Sequence, residues 1–152
     1  MTGLKEKKIV KLRARGRGAS HSRADSSIPD LGFAIDAPLL RGAAKPGQVM
    51  TQTSLAALAG CTNVIGHKCA TKLGADIGEL TIEITCELDR RSVTLEEKTD
   101  VRFAVLQQVV NSSGAVSGEE LQKVAAETAK CCPLSKLFQQ AGMELETVWQ
   151  KA

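Results

Sequence analysis

Two of the five cysteines in this 152-residue chain sit where a redox reaction could use them. Cys61 follows a run of small residues, Leu55-Ala56-Ala57-Leu58-Ala59-Gly60, and Cys132 stands directly before Pro133 in Cys131-Cys132-Pro133-Leu134-Ser135. The first falls in the middle of an expected buried helix and the second at the start of another. A thiol among alanines ordinarily packs as a small hydrophobe. A thiol at a helix N-terminus differs, because the unpaired backbone N–H groups there favour the thiolate.

The elements that must position these sulfurs can be read from periodicity. Residues 9–17 alternate charge with small or apolar side chains, which predicts a strand with one wet face; 19–27 are its expected hairpin partner. Residues 31–36 predict a further short strand, followed by a loop over 37–47 that carries Arg41. From about Val49 to Leu73 the pattern is helical, with Gly74 as the stop. This helix is small or apolar around more than one face, as a central buried helix would be. Residues 79–88 alternate cleanly, with Leu80, Ile82, Ile84, Cys86 and Leu88 on one face. A second strand is expected over 100–110. Ser117 and Glu120 form a capping-box signature for a helix over 118–130, Pro133 suits the first turn of another helix ended by Gly142, and 143–150 alternate as a last strand. Strands, a long helix, strands, helices and a strand make an α+β protein with a mainly antiparallel sheet, expected as one domain over 1–152.

Helix geometry sorts the thiols. Cys61 and Cys69 are eight residues apart, near one helical face but about 12 Å apart along the axis, too far for a disulfide. His67 lies about 120° around the helix from Cys61 and is a poor direct base for it. Cys86 and Cys69 read as packing residues. Cys131 could point either way. A thiolate metal site from Cys61, Cys131, Cys132 and His67 lacks any CxxC or HxxxH spacing to support it.

Composition narrows the class further. Aromatic residues make up 3% of the chain, so its core relies on Ala, Val, Leu and Ile, and close helix–helix packing within or between subunits is expected. The net charge of +3 is unevenly spread: residues 1–50 carry ten Lys/Arg against four Asp/Glu, and the remainder ten against thirteen. This is modest for a nucleic-acid binder, which would also want aromatics for stacking. No apolar run reaches membrane-spanning length and the basic N-terminus lacks a signal peptide's apolar stretch, so a cytoplasmic protein with no membrane partner is expected.

The stretches Asp36-Ala37-Pro38-Leu39-Leu40-Arg41-Gly42 and Ser54 to Cys61, with Cys132-Pro133-Leu134-Ser135, resemble the OsmC/Ohr family of osmotically inducible and organic hydroperoxide resistance proteins. The order of elements matches as well, closer to the OsmC-like members. The resemblance implies an OsmC-like fold, in which an intertwined homodimer wraps antiparallel sheets around long central helices. It implies a thiol-dependent peroxidase: Cys61 attacks an organic hydroperoxide and becomes a sulfenic acid, Cys132 closes a disulfide on it, and an external dithiol, of lipoyl type, restores the pair without a bound cofactor. It implies that Arg41 favours the thiolate and stabilises the leaving alkoxide, with Arg15, Arg17 and Arg23 in reserve. Where the family carries a glutamate at the start of the long helix, this chain has Thr51 beside Gln52. That departure favours an alternative, an OsmC-like domain that binds a small apolar or thiol ligand without catalysing the reaction.

Overall fold

The computed structural model describes residues 12–18, 20, 23–28, 31–36, 50–89, 91–92, 94–98, 100 and 103–152. The chain divides into two compact units, 1–53 and 54–152.

The first unit holds three strands, β1 (Arg15–Gly18), β2 (Arg23–Ile28) and β3 (Leu31–Asp36), paired antiparallel in the order β1-β2-β3. The expected strand over 9–17 is shorter: residues 12–14 are not in a strand and β1 begins at Arg15. Arg17 stands directly opposite Asp25 and its guanidinium reaches the carboxylate at 3.4 Å. Both side chains are well exposed, so the pair contributes little to stability.

The long helix α1 (Met50–Leu73) runs out of this unit and into the second. It stops at Gly74, whose φ of 69° is the left-handed conformation that ends helices. In the second unit follow β4 (Leu80–Leu88), β5 (Phe103–Ser112), α2 (Gly118–Cys131), α3 (Pro133–Gln140) and β6 (Glu144–Lys151). The sheet order is β4-β5-β6. β4 and β5 are antiparallel, but β5 and β6 are parallel. Alternation predicts a strand without its direction; here α2 and α3 form the crossover that a parallel pairing requires.

Two apolar clusters build the core from inward-facing positions. One joins Cys69 and Ala70 of α1 to Val110, Leu121, Val124 and Trp149. The other joins Leu58 to Leu106, Cys132 and Met143, with Cys61, Cys86, Leu134 and Phe138 packed against it. Cys69 and Cys86 are thus packed as expected. The long helix is not covered on every side: Ala56, Ala57, Gly60, Val64 and His67 are exposed in the single chain.

The capping box predicted at α2 is present, with Glu120 N–H donating to Ser117 Oγ at 3.2 Å and Ser117 N–H to Glu120 Oε2 at 3.0 Å. The loops at Gly78 and Gly114 meet backbone to backbone. Gly114 N–H donates to Ile77 C=O at 3.1 Å and Val116 N–H to Asp76 C=O at 3.0 Å. A Cβ on Gly78 would lie 2.6 Å from Gly114 N, and one on Gly114 would collide with the Asp76 carbonyl oxygen.

Candidate redox site

Cys132 occupies a junction one residue wide. Its N–H donates to Thr128 C=O at 2.8 Å and closes α2, while its sulfur caps α3 by accepting the Ser135 N–H at 3.5 Å. Pro133 can begin α3 because its missing N–H is one that the first turn leaves unbonded. Cys61 lies on α1, three residues after the fully buried Leu58, so burying Leu58 against Leu106 and Cys132 turns the neighbouring face of α1 toward the same junction.

The result is an Sγ–Sγ separation of 3.2 Å between Cys61 and Cys132, both free thiols. Of the two vicinal cysteines it is Cys132 whose sulfur reaches Cys61; Cys131 is exposed. Cys132 is 0% exposed, whereas Cys61 is only half-buried. Access therefore separates their chemistry: an incoming molecule meets Cys61 first.

The two sulfurs share a proton unevenly. Burial alone would raise the Cys132 thiol, but the hydroxyl and N–H of Ser135, the Cys61 thiol and the Leu134 N–H outweigh it and hold Cys132 below its ordinary value. Cys61 is pushed up, chiefly by burial and then by its hydrogen bond to Cys132, against a lowering contribution from the Leu134 N–H. Negative charge is thus favoured more on the capping sulfur than on the half-buried Cys61.

Arg41 lies outside the described residues. Arg15 and Arg17 are exposed on β1, and Arg23 lies in β2, all three in the other unit. Thr51 is half-buried and Gln52 exposed in the first turn of α1, which carries no acidic residue. His67 is exposed. Among the described residues no three His, Cys, Asp or Glu side chains gather as a metal site.

Sequence reading missed a buried polar pair that includes Thr62, the residue after Cys61. Gln108 is 2% exposed and donates through Nε2 to Thr62 Oγ1, also 2% exposed, at 2.7 Å. A glutamine flanked by Val105, Leu106, Val109 and Val110 was the available signal. Thr62, Gln108 and Ser135 line a cavity of about 340 Å³ with Gln122, Thr128 and Trp149 among others; neither Cys61 nor Cys132 is part of its wall.

The model of the family described as OsmC-like protein matches residues 49–148. Among solved structures, the chain resembles an OsmC like protein from Mycoplasma pneumoniae with a TM-score of 0.80 at 14% identity, covering 94% of this chain and 98% of that one. An organic hydroperoxide resistance protein OsmC from Legionella pneumophila gives 0.69 at 13% identity, covering 95% and 99%. The organic hydroperoxide resistance protein OhrB of Bacillus subtilis gives 0.66 at 19% identity, covering 93% and 98%. No curated protein sequence matches. At these identities the structures establish the fold, and the match over most of the chain makes it a member of the OsmC-like family.

Proposed function

We propose that this chain is a thiol-dependent peroxidase that reduces organic hydroperoxides. The observation that carries the reading is the 3.2 Å thiol pair in which one sulfur is accessible and the other is buried at a helix start. Cys61 passes its proton to Cys132 and attacks the peroxide O–O bond, becoming a sulfenic acid. The departing alkoxide takes that proton and leaves as an alcohol. The Cys132 thiolate then attacks the Cys61 sulfur and expels hydroxide, so the two sulfurs together lose two electrons in forming one disulfide and the peroxide O–O bond is cleaved by those two electrons. Leu55, Leu58, Leu134 and Phe138 around the pair suit an organic peroxide. Arg41 supplies the guanidinium that favours the Cys61 thiolate, and an external dithiol of lipoyl type in the cytoplasm reopens the disulfide.

The exposed stripe Ala56, Ala57, Gly60 and Val64 supports a homodimer built on α1, since small residues let helices approach closely. A second reading, a ligand-binding domain without turnover, is favoured by Thr51 in place of a carboxylate. One equivalent of cumene hydroperoxide separates the two. Peroxidase chemistry removes two thiols and yields a Cys61–Cys132 disulfide by peptide mapping; Arg41→Ala slows the loss and shifts its pH dependence upward. Intact thiols after that dose would overturn the proposal.

A further inference from the structure

The peroxidase reading leaves the cavity of about 340 Å³ unused. Part of its lining is polar and uncommitted. Gln108 of β5 is 2% exposed, and its Nε2 donates to Thr62 Oγ1 of α1 at 2.7 Å. Among the described residues nothing donates to the other end of that carboxamide, Oε1. Thr62 is also 2% exposed, and among the described residues its hydroxyl proton has no acceptor. Thr71 and Thr128 return theirs to His67 C=O and Val124 C=O, one turn back on their helices; Thr62 makes no such bond. A buried acceptor and a buried donor thus sit side by side without partners, a costly arrangement unless a ligand pairs them.

The rest of the wall sets the class of that ligand. None of the residues lining the cavity carries a charge, so an ionic ligand would lose its hydration there with nothing to replace it. Trp149 gives a flat aromatic surface, and Ala125, Ala126 and Ala129 of α2 take up little of the space. Ala126, Ala129 and Thr147 are exposed, so the cavity opens to solvent along α2 and β6. Gln122 Nε2 donates to Trp149 C=O at 2.8 Å and ties α2 to β6, which preforms the cavity.

We propose that this cavity binds a small uncharged carboxamide carried on a flat ring. The ligand's amide N–H donates to Gln108 Oε1, its C=O accepts the Thr62 O–H, and its ring lies against the Trp149 indole. Thr62 is on the side of α1 away from Ala56, Ala57, Gly60 and Val64, so a dimer built on that stripe does not use this face of the helix. Neither redox sulfur lines the cavity, and the proposal stands or falls separately from the peroxidase reading.

The probe is benzamide, followed in nitrogen–proton correlation NMR by the indole signal of Trp149, the single tryptophan. A saturable shift is expected, with a Kd of about 1 mM or tighter. Benzoate, which is charged, and N,N-dimethylbenzamide, which has no N–H to donate, are each expected to bind about tenfold or more weakly, as the loss of a buried hydrogen bond dictates. Gln108→Leu removes the acceptor at similar volume and is expected to weaken benzamide by about tenfold. Ala126→Leu covers the case in which Gln108→Leu does not fold: its side chain enters the cavity from an exposed position on α2, and the shift is expected to vanish at unchanged Tm. No saturable shift, benzoate or dimethylbenzamide matching benzamide, full affinity in a folded Gln108→Leu chain, or binding that survives Ala126→Leu would each overturn the proposal.

Discussion

Truncating Leu58 tests the packing that delivers Cys61 to its partner. Leu58 is 0% exposed and lies against Leu106, Cys132 and Met143. Leu58→Ala removes three carbons from a site with no solvent contact, worth about 2.4 kcal/mol in transfer at roughly 0.8 kcal/mol per carbon. The space left behind adds to this, because a core relaxes only in part, which brings the loss to about 3–4 kcal/mol. Urea unfolding monitored by Trp149 fluorescence would show a lower midpoint with an unchanged slope, and Tm would fall by about 10 °C. Val64→Ala on the same helix is the control. Val64 is 51% exposed in the single chain, so its truncation costs under about 1 kcal/mol there, and more, with dependence on protein concentration, if copies pair through that face. A loss below about 1 kcal/mol for Leu58→Ala would mean that the cluster holding Cys132 is not packed as described, and the argument from Leu58 to the sulfur pair would fail.

Two further outcomes follow from other contacts. Gly→Ala should change sign along α1 in the single chain, read at protein concentrations low enough to keep copies apart: at Gly60 a Cβ meets nothing within 4 Å of that chain, so helix propensity stabilises by about 0.5–1 kcal/mol, whereas at Gly66 it would lie 2.9 Å from Trp149 Cη2 and the clash outweighs that gain, with a shift in tryptophan emission; equal effects at both positions would refute this. Asp89 is held down at about 2 by hydrogen bonds from the Arg91 side chain and N–H, so its contribution is fully present above its ordinary 3.8 and is lost as pH falls through about 2; a carboxyl NMR midpoint near 3.8 would contradict the contact.

The elements were legible where local pattern and local chemistry agree. β4 keeps its alternation of half-buried and exposed residues from Leu80 to Leu88, and α2 starts where Ser117 and Glu120 place it, because both signals depend on neighbours in sequence. The direction of β6 was not legible, since a period of two is the same for either direction and only the crossover decides. The site was half legible. Pro133 marked Cys132 as a helix-start sulfur, but its contact with Cys61 spans 71 residues and depends on how Leu58 packs; the family resemblance suggested that pairing, and periodicity could not. Gln108 escaped because its polarity argued for the wet face while Thr62 satisfies it inside.

The meeting of Gly78 with Gly114 leaves main chain touching main chain at the turn that enters β4 and the turn that leads into α2. Beside it Ser112 Oγ donates to Ile77 C=O at 2.7 Å and Ser113 Oγ accepts the Glu79 N–H at 2.9 Å, so hydroxyls flank the seam while the contact itself is main chain, and any added carbon there forces the two turns apart. The pair of positions is constrained by volume rather than by chemistry, and a change tolerated at one would require the other turn to be rebuilt around it.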